Sequence, residues 1–561
     1  MADPVVLTWE LETPASIEAT WALFGDTDRY NRAAGFEFSF TEEPRPDGTV
    51  KRTGFAKALG LVDLRWEERP FRYAVPEWFE STRLFEGGPA ERLVTSLKLS
   101  PSGSGTRIEY RIAVTPRSFF TKPLVSIELN TVTKPKVDKV IQVMLARLRG
   151  EDAAYDPLPE PLSTEAEQSV LSIVPRVPPP TGERIASLLR EAPLPEQAHI
   201  HPLKLNWDIP EDRLLDGVLA AVREGLLELR WDLLCPSCRG AKSSPASLVA
   251  LPDEVHCPSC NIAYDGTFPD SIVVSFRPAE SLRRVEVPVA CLGSPSRQPH
   301  VLAQERLEPS ASTRLTLSLA EGAYRIRTMP GRKAASLMVR PGGEDPPTLQ
   351  IRPESIKPAR VVVAPGRIEL AIDNYAGKTI EVLVEDRKMP AGVLTMGRLL
   401  ERPGAREMLP EEALMPGLEV RTRQGTVLAV EGMDGAEAAT LLRGSGPRAM
   451  SASSRGLVAV WADFAPALEA ARSLARRPEA QLALNSGPVT EVTMAARTIP
   501  MGSAVEQALA ALAGAAEGHA ALPVARADAP EVRATFDAHT KLITVDFALS
   551  SGVRIHWIQF L

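Results

Sequence analysis

Four of the chain's five cysteines fall in one pattern, Cys235-x2-Cys238-x18-Cys257-x2-Cys260. Each pair is a C-P-S-C turn, and a tight turn of this kind aims two thiolates at one point. Two such turns complete the tetrahedral ligand set of a structural zinc site, with Zn–S bonds of about 2.3 Å. Four thiolates leave no coordination position for a substrate, so the zinc expected here holds structure and does not itself catalyse. The competing use of a C-x-x-C pair is a redox dithiol. No G-x-S-x-G, G-x-x-x-x-G-K-[ST] or H-E-x-x-H motif stands elsewhere in the chain.

A four-cysteine element is small, so the rest of the 561 residues must be organised around it. That length suggests roughly three to five domains. The hydrophobic fraction of 44% and charged fraction of 24% are ordinary for soluble globular protein. A net charge of −7 argues against a general binder of nucleic acid or anionic membrane. The opening residues lack a basic segment followed by an apolar one, so no signal peptide is expected. No stretch approaches the ~18 uncharged apolar residues of a spanning helix. Free thiols, including the leftover Cys291, suit a reducing compartment. The expectation is a cytoplasmic protein without a membrane span.

Proline, at 50 residues, marks the joints. Residues 151–180 read as an extended Pro-rich linker, and 391–420 as a second linker or entry segment. Residues 1–150 open with a strand and a helix, continue as strands and close on a helix. Ile108, Tyr110, Ile112 and Val114 alternate with polar residues, whereas Val137, Val140, Ile141, Met144 and Leu148 form one helical stripe. Residues 181–234 supply two helices and a strand feeding Cys235, a winged-helix-like order running into a zinc ribbon at 235–268. The second of these helices carries Asp212, Asp216 and Glu224 with no basic cluster, so its charge argues against DNA binding. Residues 269–390 read as short antiparallel strands of a β-sandwich, with Val285, Val287, Val289 and Cys291 as one of them. His300 stands alone and reads as a surface or capped side chain. From residue 421 to 561, strands alternate with Ala/Leu-rich helices and a closing hairpin, an α+β pattern.

The order of elements in 1–150 resembles the START-like helix-grip fold. That resemblance implies a curved sheet wrapped round the last helix, often with a cavity for a lipid or other apolar ligand. Trp66, Phe71, Tyr73, Trp78 and Phe79 could line such a cavity or simply fill a core. The stretches Asp26-Thr-Asp-Arg-Tyr-Asn-Arg-Ala-Ala-Gly35 and Trp66-Glu-Glu-Arg-Pro-Phe71 are similar to the N-terminal region of a large family of bacterial proteins. Members of that family carry a mid-chain four-cysteine element and a C-terminal adenylate/guanylate cyclase domain. Residues 421–561 in turn resemble a class III nucleotide cyclase domain, through Met408-Leu-Pro-Glu-Glu-Ala-Leu-Met-Pro-Gly417, Gly502-Ser-Ala-Val505 and Val553-Arg-Ile-His-Trp557.

Cyclisation needs two metal ions held by two aspartates, and an Asn and an Arg four residues apart on a helix. By resemblance the first aspartate position is Glu431, with Asp434 nearby, and the second is Arg455, whose charge would repel a metal. Glu506 takes the Asn place and Ala510 the Arg place. Loss of one phosphate-stabilising group alone typically costs ~10²–10³ in rate. The expectation is a degenerate cyclase-like domain with no catalytic residues. It would act as a signalling or scaffold module through homodimerisation, or through pairing with an active cyclase-type domain. The alternative is a divergent active cyclase using Glu431 and Asp434 as metal ligands.

Overall fold

The computed structural model describes residues 3–560 except 59–61, 152, 154, 157–158, 288, 330–333, 389–391, 410–413, 415–416, 454–455, 478, 495–496, 516–517, 528, 537–539 and 549–552. Arg455 and most of the 408–417 segment therefore lie outside the described residues.

The N-terminal unit comprises β1 (Val5–Thr13), α1 (Ile17–Phe24), α2 (Thr27–Ala33), β2 (Ser39–Pro44), β3 (Val50–Ala58), β4 (Val62–Glu68), β5 (Arg72–Ala74), β6 (Trp78–Phe85), β7 (Ala90–Ser102), β8 (Gly105–Pro116), α3 (Lys122–Glu128) and α4 (Lys134–Leu148). Its strands pair antiparallel in the order β1-β8-β7-β6-β4-β3-β2. The sheet and α4 share one core: Val137, Val140, Ile141 and Met144 are buried against Ile108, Tyr110, Ile112 and Val114, so both apolar periodicities meet. This is helix-grip topology.

The next unit carries α5 (Thr164–Ile173), α6 (Thr181–Glu191), α7 (Leu194–Ala198), α8 (Glu211–Arg223), β9 (Leu227–Leu234), β10 (Ala241–Ser243), β11 (Val255–Cys257), β12 (Ile262–Tyr264) and β13 (Ile272–Pro278). Two expectations are corrected here. Residues 164–173, read as extended linker, form a helix capped by Ser163, whose hydroxyl accepts from the Ala166 amide. Ala166, Val170 and Ile173 bury its inner face against α6 and α8, an amphipathic pattern that the surrounding prolines obscure. The strand β13, placed by sequence in the sandwich, instead pairs along its length with β9.

The sandwich runs through β14 (Val301–Leu307), β15 (Ser312–Leu319), β16 (Gly322–Met329), β17 (Ala334–Glu344), β18 (Leu349–Ile351), β19 (Ile356–Lys357), β20 (Arg360–Val363), β21 (Gly366–Asn374) and β22 (Ile380–Asp386). One leaf is β14-β22-β16-β17-β20 and the other β15-β21-β18-β19. Leu315, Leu317, Leu370 and Ile372 fill the space between them. The described residues of 285–291 form no strand. Their alternation is accidental, because Cys291 is drawn into the N-terminal core, where its backbone amide donates to Asp28 Oδ1 at 2.8 Å. The first leaf also continues into the N-terminal sheet, since β14 pairs with β5 at Ala303–Ala74 and Gln304–Tyr73.

Residues 394–408 give β23 (Leu394–Thr395), α9 (Met396–Glu401) and α10 (Ala405–Met408). The second expected linker is thus packed as well, with Met396, Leu399, Leu400 and Ala405 buried. The C-terminal unit follows: β24 (Glu419–Glu431), α11 (Gly435–Leu442), β25 (Ala449–Ser453), β26 (Gly456–Trp461), α12 (Phe464–Ala475), β27 (Gln481–Met494), β28 (Arg497–Met501), α13 (Ser503–Leu512), β29 (His519–Pro523), α14 (Val524–Ala527), α15 (Pro530–Arg533), β30 (Thr540–Ala548) and β31 (Arg554–Phe560). The sheet order is β25-β26-β24-β27-β29-β31-β30. Its central strands are apolar on both faces because helices cover both. Leu428, Val430, Leu457 and Leu482 meet α12, while Val427, Ala429, Val458 and Ala483 meet α13.

Candidate metal centre, apolar cavity and interdomain cleft

The sulfurs of Cys235, Cys238, Cys257 and Cys260 lie within 4.8 Å of one another, and none is in a disulfide. The Cys238–Cys257 separation of 3.9 Å is close to the ~3.8 Å edge of a tetrahedron with 2.3 Å metal–sulfur bonds. Sulfurs this close can be bridged by one cation once their protons are released, and the four cysteines could hold a metal ion. β9 and β10 carry the first turn, β11 and β12 the second.

Neighbouring units hold both turns. The ring of His300 is 5% exposed, and its Nε2 lies 3.1 Å from the Ser237 carbonyl oxygen. Of the two alternatives read from sequence, it is therefore the capped side chain and not a surface one, and it braces the turn from within. Arg239 donates to the carbonyl oxygens of Lys388 and Asp386. On the other side, Arg52 Nη2 of β3 donates to the Ser259 carbonyl at 3.2 Å, and the Ser259 hydroxyl donates to Glu42 of β2 at 3.0 Å.

The helix grip encloses a cavity of about 230 Å³. Of the five aromatic residues expected there, Trp66, Phe71 and Phe79 line it. Tyr73 and Trp78 do not. Tyr73 is buried on β5, the junction strand, and Trp78 packs against the sandwich core. Lining residues that sequence reasoning missed include Phe36, Phe38, Phe85 and Tyr110. The alternation Phe36-Glu-Phe38-Ser-Phe40 was the available signal. Burial holds the Tyr110 hydroxyl up at about 12, so it is neutral.

A cleft of about 610 Å³ separates α13 from the sandwich and the first cysteine turn. Glu431, Glu506 and Ala510 all line it, so three of the four positions singled out from the sequence resemblance are brought together. Glu431 accepts from Arg387 Nη2, and Arg387 Nη1 donates to Gln481 Oε1 at 3.0 Å. The Asp434 carboxylate is occupied as the cap of α11, accepting from the Ala436 and Glu437 amides. Glu506 accepts from the Thr395 hydroxyl, and burial holds its carboxyl above the ordinary range against that bond. Sandwich residues Arg325, Glu385, Asp386 and Arg387 form the opposite wall. These stretches are far apart in sequence, and no local motif announces the cleft.

Residues 165–290 match the model of a family of unknown function, DUF5939. No curated protein matches the chain. Among solved structures, it is similar to a START superfamily protein from Mycobacterium smegmatis, at 13% identity and a TM-score of 0.20, covering 26% of this chain and 98% of that one. It is also similar to the ZhuI aromatase/cyclase from Streptomyces sp. R1128, at 12% identity and a TM-score of 0.21, covering 26% and 94%. A protein of Thermus thermophilus gives 17% identity and a TM-score of 0.19, covering 26% and 98%.

Proposed function

We propose that this chain is a non-catalytic signalling or scaffold protein of the adenylate/guanylate cyclase-like kind, stapled by zinc and able to take an apolar ligand in its N-terminal cavity. The observation that carries the reading is the engagement of Glu431 by Arg387. A metal at the Glu431 position would have to displace a guanidinium from a carboxylate whose side chain is 16% exposed. Metal-assisted cyclisation needs that carboxylate free to neutralise charge on phosphate. Glu506 is tied to Thr395, and Ala510 has no polar atom to offer a phosphate. The order and antiparallel pairing of β24–β28 and α13 support the class III cyclase-like reading of the fold. The antiparallel pairing of β9 with β13 after α6 and α8 supports a winged-helix reading of the middle unit.

Zinc is the metal proposed for the four cysteines, because four thiolates in tetrahedral disposition suit a borderline-soft cation without redox demands. In this reading the cyclase-like unit pairs with a second copy or with an active cyclase-type domain, and the helix grip reports on an apolar molecule. The test is Mn²⁺ titration of the full chain with a non-hydrolysable ATP analogue, followed by electron paramagnetic resonance. The reading expects no protein-bound Mn²⁺ that depends on Glu431. A bound signal abolished by Glu431→Ala would favour the active alternative with Glu431 and Asp434 as ligands.

A further inference from the structure

Most large apolar side chains exposed among the described residues stand singly, but Phe119, Phe120, Leu124 and Ile127 do not. All four lie on the turn before α3 and on α3 itself, with Phe119 77% and Phe120 90% exposed. The two phenyl rings touch edge to face with centroids 6.1 Å apart, so each presents apolar surface to solvent. Leaving such a cluster in water has a cost that a soluble surface usually avoids.

The same short helix forms the rim of the apolar cavity. Leu124, Val125, Glu128 and Leu129 line the cavity, while Leu124 is also 42% exposed. A π-helical turn, Leu129–Thr133, joins α3 to α4, so the rim and the core helix belong to one helical run. Along this segment the charge departs from that of the chain. Across residues 117–139, Arg117, Lys122, Lys134, Lys136 and Lys139 outnumber Glu128 and Asp138 within a protein of net charge −7. Arg117 also donates to the carbonyl oxygens of Phe85, Gly88 and Ala90, Lys134 pairs with Asp138 and Lys136 donates to the Gly35 carbonyl, so they keep their charge while held in place.

We infer that the Phe119–Ile127 rim docks on the surface of an anionic lipid bilayer and delivers the cavity's mouth to it. Phenyl and aliphatic side chains enter the boundary of headgroups and acyl chains, while neighbouring cations meet lipid phosphates and carboxylates. This explains why the apolar patch and the cavity opening share one helix. A water-insoluble ligand needs a path that does not cross bulk water. No helix among the described residues is long and apolar enough to span a membrane, so the contact is peripheral. The inference rests on the reading that the cavity takes an apolar ligand.

The experiment is flotation of the full-length protein with phosphatidylcholine vesicles, with and without phosphatidylserine. It is run beside fluorescence titration with N-phenyl-1-naphthylamine as the apolar cavity probe. The wild type should float with the phosphatidylserine vesicles, and less so as salt rises. The double variant Phe119→Ser, Phe120→Ser should lose partitioning by about tenfold or more while binding the probe unchanged, since neither side chain lines the cavity. Absence of wild-type flotation, or flotation equal in the double variant, would overturn the docking surface. So would a wild-type dimer in sedimentation that the double variant converts to monomer, because the patch would then be covered by a second copy. Failure of the probe to bind the wild type would instead remove the ligand reading, independently of the flotation result.

Discussion

Arg387, one residue past the end of β22, reaches across the cleft and donates to the Glu431 carboxylate at the end of β24. The sandwich thereby occupies the position where the cyclase resemblance puts a metal ligand. Gln481, at the start of β27, shares the same guanidinium at 3.0 Å. The contact ties three strand ends together and gives Glu431 a structural use.

Removing Arg387 strands a mostly buried carboxylate. Arg387→Ala should destabilise the protein by about 1–3 kcal/mol, with part of the loss recovered in the Arg387→Ala, Glu431→Ala double variant. Urea unfolding midpoints of the wild type and the three variants measure this. An unchanged midpoint in Arg387→Ala would mean that the pair contributes nothing.

The cysteine turns are braced by Arg52 from one side and His300 from the other, so the metal should hold more than its own loop. Chelation under reducing conditions should lower the melting temperature by about 10 °C or more. Amide exchange should quicken in residues 255–262 and also in β2 and β3. Exchange confined to the cysteine loop would show that the N-terminal unit does not depend on the metal.

Acid should weaken the fold in two stages. Burial, with Lys204 beside His201 and Arg239 beside His300, holds both imidazoles down to about 4, despite Asp232 and Glu385 respectively. The unfolded chain protonates these rings at about 6.5. Between those values the unfolded state binds more protons, so stability falls as pH drops from about 6.5 to 4. Burial alone would push Glu385 up, but Arg327 and Arg325 hold it down to about 2, which adds a second loss below about 4.5. Unfolding free energies from urea titrations at pH 7.5 and 5 should differ by on the order of 4 kcal/mol, and by about half as much in His201→Gln. Equal pH slopes in the two proteins would contradict the assignment for His201.

Gly54 of β3 makes room for the cavity wall. A Cβ there would meet the Trp66 ring at 2.3 Å. Gly54→Ala should cost about 1–3 kcal/mol and weaken binding of N-phenyl-1-naphthylamine, as the indole moves into the cavity. Unaltered probe binding would show that the ring yields elsewhere.

What the sequence disclosed follows from how local each signal is. The cysteine pairs, the β8 alternation and the α4 stripe each use one short window, and the structure forms their elements where that pattern predicts. The helices of 164–173 and 396–401 were hidden because nearby prolines dominate the composition, although Ala166, Val170 and Ile173 keep helical spacing. Pairing of β13 with β9 rather than with the sandwich is a non-local choice that no window contains. The cavity was only partly legible: Trp66, Phe71 and Phe79 face it, whereas the union of β5 with β14 turns Tyr73 and Trp78 to other duties. The Arg387–Glu431 contact lies 44 residues apart in sequence and carries no motif.

The most direct test of the central claim is cyclic nucleotide production by purified full-length protein. It is assayed with ATP and with GTP, in Mg²⁺ and separately in Mn²⁺, against a Glu431→Ala control. The account predicts no product above that control in any combination. Product formed by the wild type and lost in Glu431→Ala would contradict it and make this chain an active cyclase.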